Sequence, residues 1–269
     1  MQNLYAYITW SASPEIFSIG PVTLRWYGLF FALGFLIGLH IVRRMFEAEK
    51  APEAWLDKAF IYMVVGTILG ARLGHVFFYE WDYYAEHLSE IPMVWRGGLA
   101  SHGGAIGIIL SLWVYSQVVT KKSILWILDK VVVPTALAGC FIRLGNLMNS
   151  EILGKPTEVA WAFIFTKVDD IPRHPVQLYE SISYLISFFI LYYVYWYTNK
   201  RQKLGYSFGL FMVLIWGFRF VLEYFKTSQG GFENEFGNVL TTGQLLSIPF
   251  FLVGLYFMFR PDVKGQGKA

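Results

Sequence analysis

The chain has 269 residues, 55% of them hydrophobic and only 15% charged, and is rich in aromatics, with 24 Phe, 17 Tyr and 10 Trp. A soluble domain usually carries about 25% charged residues, so this balance argues against one and for a membrane protein, because the apolar residues fall in runs of about 20. The net charge of +3 decides little, but no basic cluster interleaved with aromatics points to nucleic acid, and the single Cys140 excludes an intrachain disulfide or a multi-cysteine metal site.

The first residues, "MQNLYAYITWSASPEI", lack the basic start and apolar core of a cleaved signal peptide, so the first span is expected to serve as the insertion signal. Seven spans follow: Leu24–Val42, Leu56–Tyr79, Gly97–Val119, Ile124–Leu147, Leu178–Tyr197, Gly205–Phe225 and Thr242–Arg260. Each is about 19–24 residues, enough to cross a hydrocarbon core of roughly 30 Å as a helix. Backbone in lipid must satisfy its own hydrogen bonds, and these runs do not alternate as barrel strands would. The expectation is an all-α, polytopic bundle of seven transmembrane helices forming one integral-membrane domain over residues 1–269.

Basic residues set the expected orientation. Arg43, Arg44, Lys50, Lys58, Lys121, Lys122, Lys200, Arg201, Lys203, Arg260, Lys264 and Lys268 fall on one side; Arg25, Arg96, Lys155, Lys167, Arg173 and Lys226 fall on the other, in longer and more acidic loops. The positive-inside rule then places the N-terminus outside and the C-terminus in the cytoplasm. The long loops, 148–177 and 226–241, lie on the outer side. The first contains "KPTEVAWAFIFTKVDDIP", with room for a short strand or hairpin; the second includes the polar, glycine-bearing Ser228–Asn238. Long loops carry function more often than short ones.

Away from the span ends, four basic residues lie within the spans: Arg72, Lys130, Arg143 and Arg219. A charge at bilayer centre costs about 2.5–3.5 kcal/mol on insertion scales. Lys130 is near a cytoplasmic helix end and can pair with Asp129 or extend to the interface. The three arginines fall at one depth, roughly 6–11 Å below the outer boundary at ~1.5 Å per residue. His102, Tyr27, Glu180, His75 and Glu223 fall at similar outer depth. Such a layer suits an anion, and at headgroup depth the simplest anion is a phospholipid phosphate, which the guanidinium fork fits. Asn146 and Asn149 follow Arg143 at helical spacing and can add neutral hydrogen bonds. Glu223 lies four residues after Arg219, either orienting it or making a plain salt bridge. In "WRGGLASHGGAIG" the glycines, Gly103 and Gly104 among them, allow close approach of a helix or a ligand. His102 beside a phosphate site reads as a general base. The stretch "RHPVQLYE" is a helix start or part of the site, and Cys140 reads as a small packed hydrophobe.

The motifs "WYG" (Trp26–Gly28), "SHGGAIG" (Ser101–Gly107), "RLGNLMNSEILG" (Arg143–Gly154), "RHPVQLYE", "FRFVLEYFK" (Phe218–Lys226) and "LTTGQLLSIP" (Leu240–Pro249) occur in this order. With them the sequence resembles the bacterial phosphatidylglycerol–prolipoprotein diacylglyceryl transferases over essentially its whole length. It departs from them at Ser101, Ile142, Leu147 and Val176, where the family usually has Phe, Gly, Phe and Ser. The resemblance implies transfer of a diacylglyceryl group from phosphatidylglycerol to the lipobox cysteine of a prolipoprotein signal peptide, releasing glycerol phosphate, in the outer leaflet of the bacterial inner membrane. It implies no metal or organic cofactor. Arg143 is then expected to bind the lipid phosphate and stabilise the leaving group, with Asn146 and Asn149. Arg219 with Glu223 makes a second phosphate or gating contact, and His102 takes the cysteine proton. Glu151, Gly154 and Tyr27 match family motif positions and are expected in the site; Arg72, Gly103 and Gly104 are expected to line it. Two other readings compete: an anionic-lipid transporter, and a non-catalytic membrane scaffold whose polar layer pairs internally.

Overall fold

Long apolar runs become helices in the computed structural model, which describes residues 7–20, 22–227 and 240–261. Among the described residues, seven helices are long and apolar enough to cross a membrane. They are α1 (Trp26–Ala48), α2 (Glu53–Phe78), α4 (Ser101–Tyr115, prolonged by a π turn to Thr120), α5 (Ile124–Met148), α6 (Val176–Tyr197), α7 (Tyr206–Leu222, prolonged by a 3-10 turn to Phe225) and α8 (Thr242–Phe259). A short α3 (Trp81–Glu86) and two 3-10 turns, Leu88–Glu90 and Val94–Arg96, connect α2 to α4. The expected spans are all present. The first begins later than hydropathy suggested, at Trp26, because Val22–Arg25 pairs as a strand. The glycine-bearing stretch Ser228–Asn238 lies outside the described residues.

Two small β elements accompany the helices. Strands β2 (Glu15–Ile19) and β3 (Val22–Arg25) form an antiparallel hairpin, turned at Gly20 with φ +56°. Strand β1 (Ile8–Trp10) pairs in parallel with β4 (Phe163–Phe165), which pairs antiparallel with β5 (Pro172–Arg173). The last two fill the loop where a strand or hairpin was expected. Trp10 fastens this sheet to α5: its Nε1 donates to the Leu147 carbonyl at 3.0 Å, one of the helix-end carbonyls that lack an intrahelical partner. Leu147, Phe163 and Phe165 form the sheet's core, with Trp10, Leu153 and Leu178 against it. Leu147 and the fully buried Val176 are positions where the chain departs from the family it resembles, and both are packing positions.

The described residues divide between two compact units, one drawn from Met1–His40 and Asp129–Val263, the other from Ile41–Leu128. In the second unit α2 and α4 meet along glycines. A Cβ on Gly74 would lie 2.7 Å from the Gly103 Cα, and one on Gly107 would lie 2.8 Å from the Gly70 Cα. Small residues let helix backbones approach this closely in lipid. Gly107→Ala is therefore expected to destabilise the protein by about 1–3 kcal/mol, measured as thermal unfolding in detergent. Gly104→Ala is expected to be neutral, because its Cβ would sit 3.6 Å from the Ala71 Cβ, an ordinary contact.

In the first unit, α7 and α8 approach at Gly209 and Gly254; a Cβ on either would lie 2.7–2.8 Å from the other's carbonyl oxygen. Helix α7 is capped from a distance. Asp129 of α5 accepts the Gly205 N–H at 2.6 Å and the Phe208 N–H at 2.8 Å, one with each carboxylate oxygen. Asp129 was expected at most to pair with Lys130, which is itself buried nearby. The capping is the stronger reason for a carboxylate there, since the first N–H groups of a helix lack partners and carry partial positive charge. Asp129→Ala is expected to cost about 1.5–3 kcal/mol, the range for hydrogen bonds to a charged group. Asp129→Asn, with one acceptor oxygen left, should recover part of this in the same unfolding measurement.

Candidate active site

Arg143 sits in the penultimate turns of α5, and Asn146, three residues on, shares its face. Arg143 Nη1 donates to Asn146 Oδ1 at 3.3 Å. Asn146 Nδ2 donates to Glu151 Oε2 at 3.1 Å, and Asn149 Nδ2 to Glu151 Oε1 at 3.2 Å. Glu151 can fold back on the helix end because Ser150 and Ile152, on either side, adopt φ of +55° and +56°. That conformation is unfavourable for a β-branched residue, so the turn must be held by its bonds. Gln177, fully buried, donates from Nε2 to the Glu151 carbonyl at 2.6 Å and supplies one of them.

A second arm leaves Arg143 toward α6. Its Nε lies 3.0 Å from Glu180 Oε2, an ion pair in which that oxygen accepts no well-aimed hydrogen bond. Glu180 Oε1 accepts from Lys226 Nζ at 3.4 Å, and Lys226 Nζ lies 3.8 Å from Glu223 Oε2. The side chains of Glu180, Lys226, Glu223 and Arg143 are only 6%, 7%, 10% and 15% exposed. Screening by water is therefore weak and each charge depends on its neighbours. Lys226 is fixed by backbone pairing. It bridges Gly154, Lys155 N–H donates to the Phe225 carbonyl at 2.8 Å, and Thr227 N–H donates to the Leu153 carbonyl at 3.2 Å. Gly154 has no room for a side chain: a Cβ would lie 2.7 Å from Val176 Cγ2 and 2.8 Å from His174 Cβ.

Arg219 faces the same space. A cavity lined by Arg143, Glu180, Ser183, Tyr184, Ile215, Arg219 and Leu222 has about 10 Å³ of free room, the size of one water. Arg219 Nε is buried without a hydrogen-bond partner, and its guanidinium carbon lies 5.4 Å from the Trp216 ring centroid. Glu180 Oε2 and Glu223 Oε2, though ion-paired, and Asn149 Oδ1 and Gln177 Oε1 are likewise buried without a hydrogen-bond partner. Among these atoms only Arg219 Nε is a donor suited to an anion; the four oxygens can only accept. Tyr27 packs against α5 where Gly145 leaves space; a Cβ there would lie 2.6 Å from Tyr27 Cδ2. Tyr27 and Tyr184 both interact electrostatically with Arg143.

The other expected residues lie in the second unit. Arg72 is 2% exposed, and its guanidinium is occupied by backbone: Nε donates to Ile91 O at 2.8 Å, Nη2 to Glu90 O at 2.8 Å, and Nη1 to Gly97 O at 2.7 Å. It also stacks 4.9 Å from the Tyr84 ring centroid. His75 Nε2 lies 3.3 Å from Glu80 Oε2. His102 is exposed in the first turn of α4, and Gly103 and Gly104 behind it are buried against α2.

Lys226 and Tyr184 are the groups sequence reasoning gave no role, and Glu180 was seen only as one more polar group in the layer. Lys226 follows Glu223 at helical spacing of three, which is the signal that it could have carried more than interfacial charge. The motif "RHPVQLYE" divides in two. Gln177 and Glu180 point into the network above. His174 and Tyr179 join a chain outside it, in which Trp161 Nε1 donates to Tyr179 Oη at 2.7 Å and Tyr179 Oη lies 3.2 Å from His174 Nδ1. Trp161 can only donate, so Tyr179 Oη accepts from it, and burial lowers the pKa of His174 below the usual imidazole value.

The model of the prolipoprotein diacylglyceryl transferase family matches residues 14–260. Relatives named phosphatidylglycerol–prolipoprotein diacylglyceryl transferase include one from Chloroherpeton thalassium, 49% identical over 261 residues and covering 97% of each chain. One from Tolumonas auensis is 45% identical over 249 residues, covering 93% of this chain and 95% of its own. One from Bacteroides fragilis is 42% identical over 271 residues, covering 96% and 97%.

Proposed function

The chain belongs to the prolipoprotein diacylglyceryl transferase family, and from that premise we propose how its polar layer works. It is a multi-pass membrane transferase that acts in lipoprotein biosynthesis, moving the diacylglyceryl group of phosphatidylglycerol to a prolipoprotein. The acceptor is the thiol of the lipobox cysteine in the signal peptide. Its sulfur attacks the glyceryl carbon, a C–S thioether bond forms, and the C–O bond to phosphate breaks with its electrons on the departing glycerol phosphate. The leaving phosphate gains a negative charge, so preorganised cations stabilise it most in the transition state.

The observation that carries this reading is the buried chain Arg143–Glu180–Lys226–Glu223, with the Asn146–Glu151 arm on the same guanidinium. Arg143 is the main phosphate contact, Asn146 and Asn149 support it, and Arg219 is the second. Glu151 orients the asparagines, Gly154 keeps Lys226 in register, and Tyr27 closes the site beside Gly145. Arg72 acts by holding its connecting segment, and Gly103 and Gly104 by packing. The thiol proton goes to His102. The asymmetry of basic residues supports an outer-leaflet site in the bacterial inner membrane, with the N-terminus outside.

The test is purified protein in lipid with glyceryl-labelled phosphatidylglycerol and a lipobox peptide. A thioether product with stoichiometric glycerol phosphate is expected. Movement of labelled lipid across vesicles without a covalent product would instead support an anionic-lipid transporter. His102→Gln is expected to slow transfer strongly near pH 7 and less above about pH 9, where a thiol ionises unaided. A loss of equal size at both pH values would remove the base assignment and leave the rest.

A further inference from the structure

The motif "LTTGQLLSIP" enters no step above, yet its glycine touches the network directly. Thr241 caps α8 through a reciprocal box: its Oγ1 accepts the Gln244 N–H at 3.3 Å, and Gln244 Oε1 accepts the Thr241 N–H at 3.0 Å. Gln244 Nε2 also donates to the Phe220 carbonyl at 3.2 Å, tying the first turn of α8 to the end of α7. Gly243 lies in that turn, buried, and Glu223 is laid across it. A Cβ on Gly243 would overlap the carboxyl carbon of Glu223 and would lie 2.5 and 2.7 Å from its oxygens. The three nearest atoms all belong to the end of one flexible side chain.

We propose that Gly243 is a positioning residue: the notch left by its missing side chain seats the Glu223 carboxylate and so sets the outer end of the Arg143–Glu180–Lys226–Glu223 chain. The inference rests on the reading of that chain as the lipid-phosphate site. The physical reasons are three. The carboxylate rests against the first turn of a helix, where partial positive charge favours it. Its Oε2 is buried with no hydrogen-bond partner and lies 3.8 Å from Lys226 Nζ, so this seat is what keeps it within reach. Alanine suits a helix better than glycine, so the glycine is not there for the helix.

The consequence is an unusual pairing of effects. Gly243→Ala should leave the unfolding temperature unchanged or raised, because the new methyl moves only a carboxylate. It should lower kcat for diacylglyceryl transfer about 10–100-fold with little change in KM, the size expected when a charged group is misplaced by about 1 Å. Glu223→Asp, which withdraws the carboxylate by one methylene, should also lower kcat. The double variant Gly243→Ala/Glu223→Asp should recover at least tenfold over Gly243→Ala, because the methyl fills the space the shorter acid vacates. Wild-type kcat in Gly243→Ala, with Glu223→Ala inactive, would overturn the positioning role and leave the phosphate-site reading standing. A double variant no better than the product of the two single losses would also overturn it. Wild-type transfer by Glu223→Ala would overturn the reading on which the inference rests.

Discussion

Replacing Arg143 by alanine is expected to lower transfer by about 10²–10³-fold, the loss typical when one preorganised donor to a developing oxyanion is removed. The guanidinium is 15% exposed and meets two arms of the network at once, Glu180 through Nε and Asn146 through Nη1. Its loss therefore removes charge from the phosphate and frees Glu180 and Asn146 together. The fall should be larger in kcat than in KM, because the phosphate's charge grows as the C–O bond breaks. Arg143→Lys keeps the charge but not the fork, and an ammonium cannot reach both arms. Its activity should stay nearer to alanine than to arginine. Steady-state kinetics with a lipobox peptide and phosphatidylglycerol measure both variants.

Glu180→Ala is expected to have the largest effect on stability. Its carboxylate is the shared counterion of Arg143 at 3.0 Å and Lys226 at 3.4 Å, and all three side chains are largely buried. Removing one partner of a buried ion pair costs about 3–5 kcal/mol, because a charge is left in a medium that solvates it poorly. Among the described residues, Lys226 then keeps only Glu223, at 3.8 Å. Glu180→Gln combined with Lys226→Met removes a charge of each sign and should regain part of the lost stability in thermal unfolding. It should not regain transfer, because the Lys226 link between Glu180 and Glu223 is gone.

Much of the fold is visible in the sequence because lipid leaves the backbone few choices. Long apolar runs must become helices there, and the seven spans follow within a few residues at most ends. The helix-local part of the site is visible for a similar reason. Arg143 and Asn146 lie three apart on one helix, and this spacing alone puts them on one face. What the sequence conceals is contact across distance. Glu180 and Lys226 are separated by 46 residues and meet only because residues 153–155 pair with residues 225–227. Arg72 and Arg143 look alike as single arginines at one depth. Their surroundings differ because Arg72 meets carbonyls of residues 90–97, exposed to it by two 3-10 turns that no hydrophobic period announces. A short strand or hairpin was expected around Phe163–Phe165 and is there, but Ile8–Trp10, three residues long, shows too little alternation to stand out. The hairpin ahead of α1 is apolar enough to read as the start of the span.

Lipid-binding selectivity tests the central claim, a phosphate seat built on Arg143, most directly. Purified protein in detergent is offered phosphatidylglycerol and diacylglycerol with identical acyl chains, and the bound lipid is counted by native mass spectrometry. The two ligands differ only in the phosphoglycerol headgroup. Wild-type protein is predicted to prefer phosphatidylglycerol by about tenfold or more, as charge-assisted hydrogen bonds allow, and Arg143→Ala to lose that preference while still binding acyl chains. An Arg143→Ala protein that keeps the wild-type preference would contradict the account.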